Sequence, residues 1–146
     1  IRIDGIGMQG HYRLNSPALE QIEQAILDIH EAGFDVHVTE LDVDVLPRPN
    51  NSQGADLNIN FAESEEWNPY KNGIPTDIEQ QLVGRYISIF KVFRKHSDKI
   101  KRVTFWGLYD GRSWLNDWPV RGRTNYALLF DRQMKLKSGF LESLKD

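Results

Sequence analysis

Cysteine is absent from the 146 residues, so neither a disulfide nor a thiolate metal site can form. That absence leaves the compartment open, because many secreted proteins also lack cysteine. An excess of positive charge is lacking too: 18 Lys and Arg stand against 21 Asp and Glu, a formal net charge of -3. Phosphate contacts depend on clustered cations, so a strongly basic nucleic-acid binder is excluded and a neutral partner fits better. Nothing in the chain suggests a membrane span or disorder, and Gly5 and Gly7 do not complete a glycine-rich phosphate loop. The first residue is Ile1, and no charged, apolar and small-residue signal segment follows it. The expectation is therefore a processed chain or one cut from something longer. What is present is the length and composition of one globular domain, with 40% hydrophobic and 27% charged residues.

The most informative stretch is Val36 to Val43, written Val-His-Val-Thr-Glu-Leu-Asp-Val. Strict alternation along a strand puts Val36, Val38, Glu40 and Asp42 on one face and His37, Thr39, Leu41 and Val43 on the other. Two carboxylates then close an apolar row, where burial is costly unless they are paired or used. Upstream, Ile3 to His11 reads as a short buried strand whose glycines allow close approach of neighbouring backbone, with Gln9 and His11 sharing a face at its end. Between the two, Ser16-Pro17 predicts a helix start, Leu19, Ile22, Ile26 and Ile29 recur at helical spacing, and Gly33 suits a left-handed helix end.

Residues 44 to 75 are irregular, with Pro47, Pro49, Asn50, Asn51, Ser52 and Gly54 followed by Trp67, Pro69, Tyr70 and Gly73. A loop of that length is functional, or it holds a small satellite helix. Thr76-Asp77-Ile78-Glu79 has the form of a capping box, and Ile78, Leu82, Tyr86, Ile89, Phe90 and Phe93 form the apolar stripe of a helix ending near His96. A third strand, Ile100 to Leu108, runs into a loop rich in Trp, Arg, Asn and Gly. Ala127 to Phe130 reads as an apolar docking segment, and a last helix is expected from about Lys137. Strand, helix, strand, helix, strand, helix predicts an α/β fold with parallel strands.

Gln9 and His11, Glu40 and Asp42, and Trp106 and Trp114 all fall at or just past the carboxyl ends of the three expected strands, where parallel α/β folds build their sites. Taken singly, a His near a strand end is more often structural and a Trp more often core. Their joint placement points to a site. Glu40 suits attack on a sugar carbon, His11 and Asp42 suit a hydrogen-bonded pair that orients it, Gln9 suits a sugar hydroxyl, and Trp106 and Trp114 suit pyranose faces. A metal site built from His11, Glu40 and Asp42 is the alternative, ranked lower because no spacing here matches a dedicated metal motif.

The segments Gly5-Ile6-Gly7-Met8-Gln9-Gly10-His11, Thr39-Glu40-Leu41-Asp42, Trp106-Gly107-Leu108-Tyr109-Asp110-Gly111-Arg112-Ser113-Trp114 and Leu128-Leu129-Phe130-Asp131 together resemble glycoside hydrolase family ten, the retaining endo-β-1,4-xylanases. The resemblance runs in order along essentially the whole chain. It implies a (β/α)8 TIM barrel of which residues 1–146 would be the carboxyl-terminal three strand-helix units of the catalytic domain, an incomplete barrel. It implies Glu40 as nucleophile, His11 and Asp42 as its supporting network, and Gln9, Trp106 and Trp114 as substrate contacts, with no cofactor and no metal. The implied partners are xylan or a xylo-oligosaccharide and the missing N-terminal half of the barrel, not nucleic acid or membrane. The implied place of action is extracellular, at the cell surface or periplasmic.

One departure is informative. The family draws its general acid/base from an Asn-Glu segment on an earlier strand, and no Asn-Glu pair occurs here. Glu20, Glu31, Glu63, Glu65, Glu66, Glu79 and Glu142 sit in expected helices or the long loop, so this chain is expected to be inactive alone. Three open strands would expose two sheet edges and an apolar row, which predicts instability or aggregation without a partner. The competing classes are a non-catalytic glycan-binding or structural fragment, and a barrel hydrolase for a different β-glycan.

Overall fold

Apart from isolated bridges, strand pairing is parallel in the computed structural model, which describes residues 1–49, 61–62 and 64–143, with only the backbone of 142 and 143. Asn50, Asn51, Ser52, Gly54 and Glu63 of the irregular region, the Glu142 side chain and residues 144–146 lie outside this description. β1 (Gly5–Met8) and β2 (His11–Arg13) are two pieces of one run, and both pair with β3 (Asp35–Asp44). β4 (Ile100–Phe105) also pairs with β3. Because β1 and β4 both pair with Val36 to Val38, they lie on opposite edges of that strand. The sheet is open, with β3 central.

The break between β1 and β2 falls at Gln9-Gly10. Gly10 has φ +88°, and a Cβ there would stand 3.1 Å from Val38 Cγ1. Only glycine accepts both that backbone angle and that contact. The bend moves His11 into register with Asp42. The expected buried strand is thus shorter and more exposed than the sequence suggests. Ile3 is 64% exposed and Ile6 37%, because β1 is an edge with β3 as its single strand neighbour among the described residues.

Helices α1 (Leu19–Glu31) and α2 (Thr76–Lys95) cover one face of the sheet. Ile22 and Ile26 of α1 and Leu82, Tyr86, Ile89 and Phe93 of α2 are buried, and Gly33 closes α1 at φ +88° as its position predicts. Each such apolar side chain contributes roughly 1.5–3 kcal/mol relative to exposure. Both helix starts differ from the expected caps. Ser16 instead closes a turn with Arg13, whose N–H donates to the Ser16 carbonyl at 2.7 Å, and α1 begins where the Ala18 N–H donates to Gln21 Oε1 at 2.9 Å. At α2 the Glu79 N–H donates to the Pro75 carbonyl, so Thr76 is already helical and forms no capping box. The last helix, α3 (Phe140–Ser143), begins after Lys137, whose side chain is drawn into the core by a buried partner described below.

The alternation expected for β3 fails at its centre. Val38 pairs with Val103 and Leu41 with Phe105, so β3 carries three steps where β4 carries two. The extra residue is a bulge at Thr39-Glu40, which resets which side chains share a face. Val36, Val38, Leu41 and Val43 consequently all enter the same helix-facing core, each fully buried. Glu40 and Asp42 are released from that apolar row to the opposite face, beside His37 and Thr39. The side chains of those two residues lie against Gly5 and Gly7, where a Cβ would approach to 2.9 and 3.0 Å. The two carboxylates therefore never compete with valine for one surface.

Candidate active site

The strand register delivers His11 to Asp42, and the bulge delivers Glu40 to His11. His11 Nδ1 lies 2.9 Å from Asp42 Oδ1, and its Nε2 lies 3.1 Å from Glu40 Oε2. Asp42 is buried, whereas His11 and Glu40 keep side-chain exposures of 21% and 23%. A neutral imidazole has a single N–H and could satisfy one carboxylate; the imidazolium donates to both. Burial pulls the His11 pKa down, but hydrogen bonds and charge from Asp42 and Glu40 outweigh it, and the ring titrates above its ordinary 6.5. Burial raises the Asp42 pKa, opposed by His11 and by the Trp114 indole.

Trp114 donates Nε1–H to Asp42 Oδ2 at 2.8 Å, so both oxygens of this carboxylate accept a hydrogen bond. Its ring centroid lies 5.0 Å from that of His11, and the Trp106 ring lies 6.5 Å from His11, edge to face. Trp106 is 46% exposed and free to meet a flat apolar ligand surface. Trp114 has one face taken by Trp118, stacked at 4.9 Å and 16°. Gln9 joins the cluster through its backbone: its carbonyl accepts the Glu40 N–H at 2.7 Å while its side chain is exposed. The structure thus links His11, Glu40, Asp42 and Trp114 directly, with Trp106 and Gln9 at the margin.

The loop carrying both tryptophans is anchored by residues that composition and periodicity did not single out. The Trp106 N–H donates to the Leu41 carbonyl at 3.0 Å. Gly107, at φ +147°, passes so close to Leu128 that a Cβ would stand 2.7 Å from Cδ1. Asp110 Oδ1 accepts the Leu128 N–H at 2.9 Å, and Asn116 donates to the carbonyls of Asp110 and Ser113 at 2.9 and 2.8 Å. Ala127 and Leu128 dock into the core as the apolar run predicts, while Phe130 stays 39% exposed. Asp110 lies inside a segment already picked out by its tryptophans. An acid inside that segment was a usable signal, but its burial and its partner Lys137, 27 positions away, are not marked by anything local.

No group of three His, Asp or Glu side chains is arranged to hold a metal among the described residues. Both nitrogens of His11 are engaged with carboxylates. Of the other glutamates, Glu20 and Glu31 are exposed on α1, Glu79 is in the first turn of α2, and Glu65 and Glu66 are exposed in a turn. No described helix is long and apolar enough to cross a membrane.

Comparison with known proteins finds relatives along the whole chain. The model of glycosyl hydrolase family 10 matches residues 1–145. Endo-1,4-beta-xylanase A of Xylanibacter ruminicola is 49% identical over 144 residues, covering 99% of this chain and 39% of its own length. Among solved structures, a GH10 endoxylanase retrieved from a sugarcane soil metagenome superposes with a TM-score of 0.87 at 44% identity, covering 98% of this chain and 39% of that one. A further solved relative, a mutant in complex with xylotriose, gives a TM-score of 0.78 at 28% identity, covering 99% and 39%. The chain spans about two fifths of the length of each of these three relatives.

Proposed function

Because the chain belongs to glycosyl hydrolase family 10, we propose that it supplies the nucleophile side of a retaining endo-β-1,4-xylanase barrel. In this reading Glu40 attacks the anomeric carbon of a xylosyl unit, and the bond to the leaving oxygen breaks as a second carboxylic acid protonates it. Water, activated by the same second group, then hydrolyses the glycosyl-enzyme ester and restores Glu40. A retaining pair needs carboxyls about 5–5.5 Å apart, so the acid/base comes from barrel strands outside these 146 residues. The same strands would close the open edges at β1 and β4.

His11 and Asp42 act on Glu40 by position. The imidazolium holds Oε2 at 3.1 Å, and Asp42, fixed by Trp114, holds the imidazolium. Nothing then has to reorganise as charge leaves the nucleophile. Trp106 would receive the C–H face of the sugar at the cleavage point, with Trp114 beside it, and Gln9 a hydroxyl. Xylan or a xylo-oligosaccharide is the proposed substrate, and a polymer of that size requires action outside the cell, at the cell surface or in the periplasm.

The observation that carries this reading is the His11 bridge between one buried and one accessible carboxylate beside two tryptophans. Release of reducing ends from xylan, measured with this chain alone and with the chain joined to the remaining barrel strands, tests it. Activity confined to the joined protein and lost in Glu40→Gln is expected. Xylan binding without turnover in the joined protein would instead favour a glycan-binding module, and a β-glycan panel identifies a different substrate.

A further inference from the structure

A ring of contacts leaves β3 at Asp44 and returns to it at Asp42. Asp44 is buried, and its Oδ1 accepts from the Asn125 amide at 2.7 Å and from the Leu46 N–H at 3.0 Å. Its Oδ2 binds Arg48 Nε at 2.6 Å. The Arg48 guanidinium lies 4.8 Å from the Trp118 ring centroid, and Trp118 stacks on Trp114 at 4.9 Å. Trp114 completes the ring through its indole N–H on Asp42.

Two groups that close to one indole cannot share a face, so Trp118 has a cation on one side and an aromatic on the other. It has no face left to stack on a sugar. Its orientation instead decides the plane of Trp114, because offset aromatic pairs and guanidinium stacking both hold ring planes near parallel. The plane of Trp114 in turn decides whether Nε1–H reaches Oδ2. Without that donor on Oδ2 the Asp42 carboxylate loses one of its two fixed points, and Oδ1 is no longer held toward His11.

We propose that Arg48 and Trp118 are positioning residues: by packing Trp114 they keep its indole N–H on Asp42 and, through Asp42, keep His11 against Glu40. The catalytic consequence rests on the hydrolase reading above, but the geometric one does not. Among the described residues the Glu40 carboxylate is bonded to His11, whereas Arg48 meets Asp44 and Trp118, and Trp118 stacks on Trp114. The guanidinium fork makes Lys a poor replacement for Arg48.

The test separates the two. In the 15N-labelled chain the four tryptophans give four indole resonances, that of Trp114 being identified by its loss in Trp114→Phe. Solvent exchange of the Trp114 indole N–H is expected to accelerate by about tenfold in Arg48→Met and in Trp118→Leu, the loss of one charge-assisted hydrogen bond. Trp118→Phe keeps a flat ring between Arg48 and Trp114 and is expected to exchange as the parent does. Arg48 is only 18% exposed and carries the charge that meets buried Asp44, so far-UV circular dichroism checks the fold of both variants. Arg48→Lys keeps that charge without the flat fork and is expected to exchange as fast as Arg48→Met. In the chain joined to the remaining barrel strands, Arg48→Met is expected to lower kcat by about tenfold with a smaller change in KM. Parent-like indole exchange, or parent-like kcat, in folded Arg48→Met overturns the proposal. A joined parent protein that fails to cleave xylan sinks the hydrolase reading and leaves the exchange result to decide the positioning role.

Discussion

Lys137 places its ammonium 2.8 Å from the Asp110 carboxylate, with the two side chains 2% and 0% exposed. The same ammonium donates to the carbonyls of Tyr126, at 3.0 Å, and Leu128. Burial lowers the Lys137 pKa and raises that of Asp110, and in each case the partner's charge opposes the shift. The pair ties the loop bearing Trp106 and Trp114 to the segment that precedes α3. Backbone meets the other hydrogen bonds of the pair: the Lys137 ammonium donates to two carbonyls and Asp110 Oδ1 accepts the Leu128 N–H.

Removing one partner should therefore cost far more than removing both. Lys137→Met leaves a buried carboxylate uncompensated and is expected to lower unfolding free energy by about 3–5 kcal/mol, read from urea denaturation. Adding Asp110→Asn to that variant should recover part of the loss. A double variant as unstable as the single one would show that the pair acts through something other than its charges.

His11→Gln removes the donor that spans both carboxylates while keeping a side chain of similar reach. In the joined barrel kcat should fall by about 10–100-fold, as for loss of a group that orients a reacting carboxylate, with KM affected less. Steady-state kinetics on a xylo-oligosaccharide measure both. An equal effect on KM alone would assign His11 to substrate binding.

The His11 ring also sets a pH dependence of stability. Its folded pKa lies above the unfolded 6.5, so the folded state holds the proton more tightly. The stabilisation is fully present below pH 6.5 and is lost as pH rises through the folded value. Thermal melts of the parent chain should fall in midpoint across that window, and His11→Gln should lack this step. A parent midpoint that stays flat as pH rises above 6.5 would contradict the doubly donating imidazolium.

The open sheet leads to a solution property. β1 and β4 have β3 as their one strand neighbour among the described residues, and Ile3 and Ile6 are exposed beside β1. Unpaired strand edges with apolar flanks recruit other chains. Light scattering should show the 146-residue chain self-associating with rising concentration, and Ile3→Lys with Ile6→Lys should reduce it. Joining the remaining barrel strands should abolish it.

The residues that carry helices were legible because their signal is local. Ile22 and Ile26 on α1, Tyr86 and Ile89 on α2, and Gly33 at a left-handed end are each specified by spacing within a turn or two. The caps were less legible. Ser16 and Thr76 have the chemistry of helix starts, but a turn with Arg13 and the Pro75 carbonyl took those places, and such competition between neighbouring backbone partners is not written in residue type.

For the candidate site, the sequence by itself determined the participants. His11 follows β1, Glu40 and Asp42 lie in the carboxyl-terminal half of β3 and Trp106 follows β4, because parallel strands all finish on one side of a sheet. Trp114 lies further along the loop. Only the tertiary structure decided how they meet. The bulge at Thr39-Glu40, where β3 takes one more step than β4, is set by how the two strands pair, and it frees Glu40 and Asp42 from the valine face. The partnerships of Lys137 with Asp110 and of Arg48 with Trp118 likewise depend on chain segments that come together in space. Spacing records what is near along the chain, whereas ion pairs, ring stacks and strand register are settled by packing between parts of the chain that are far apart in it.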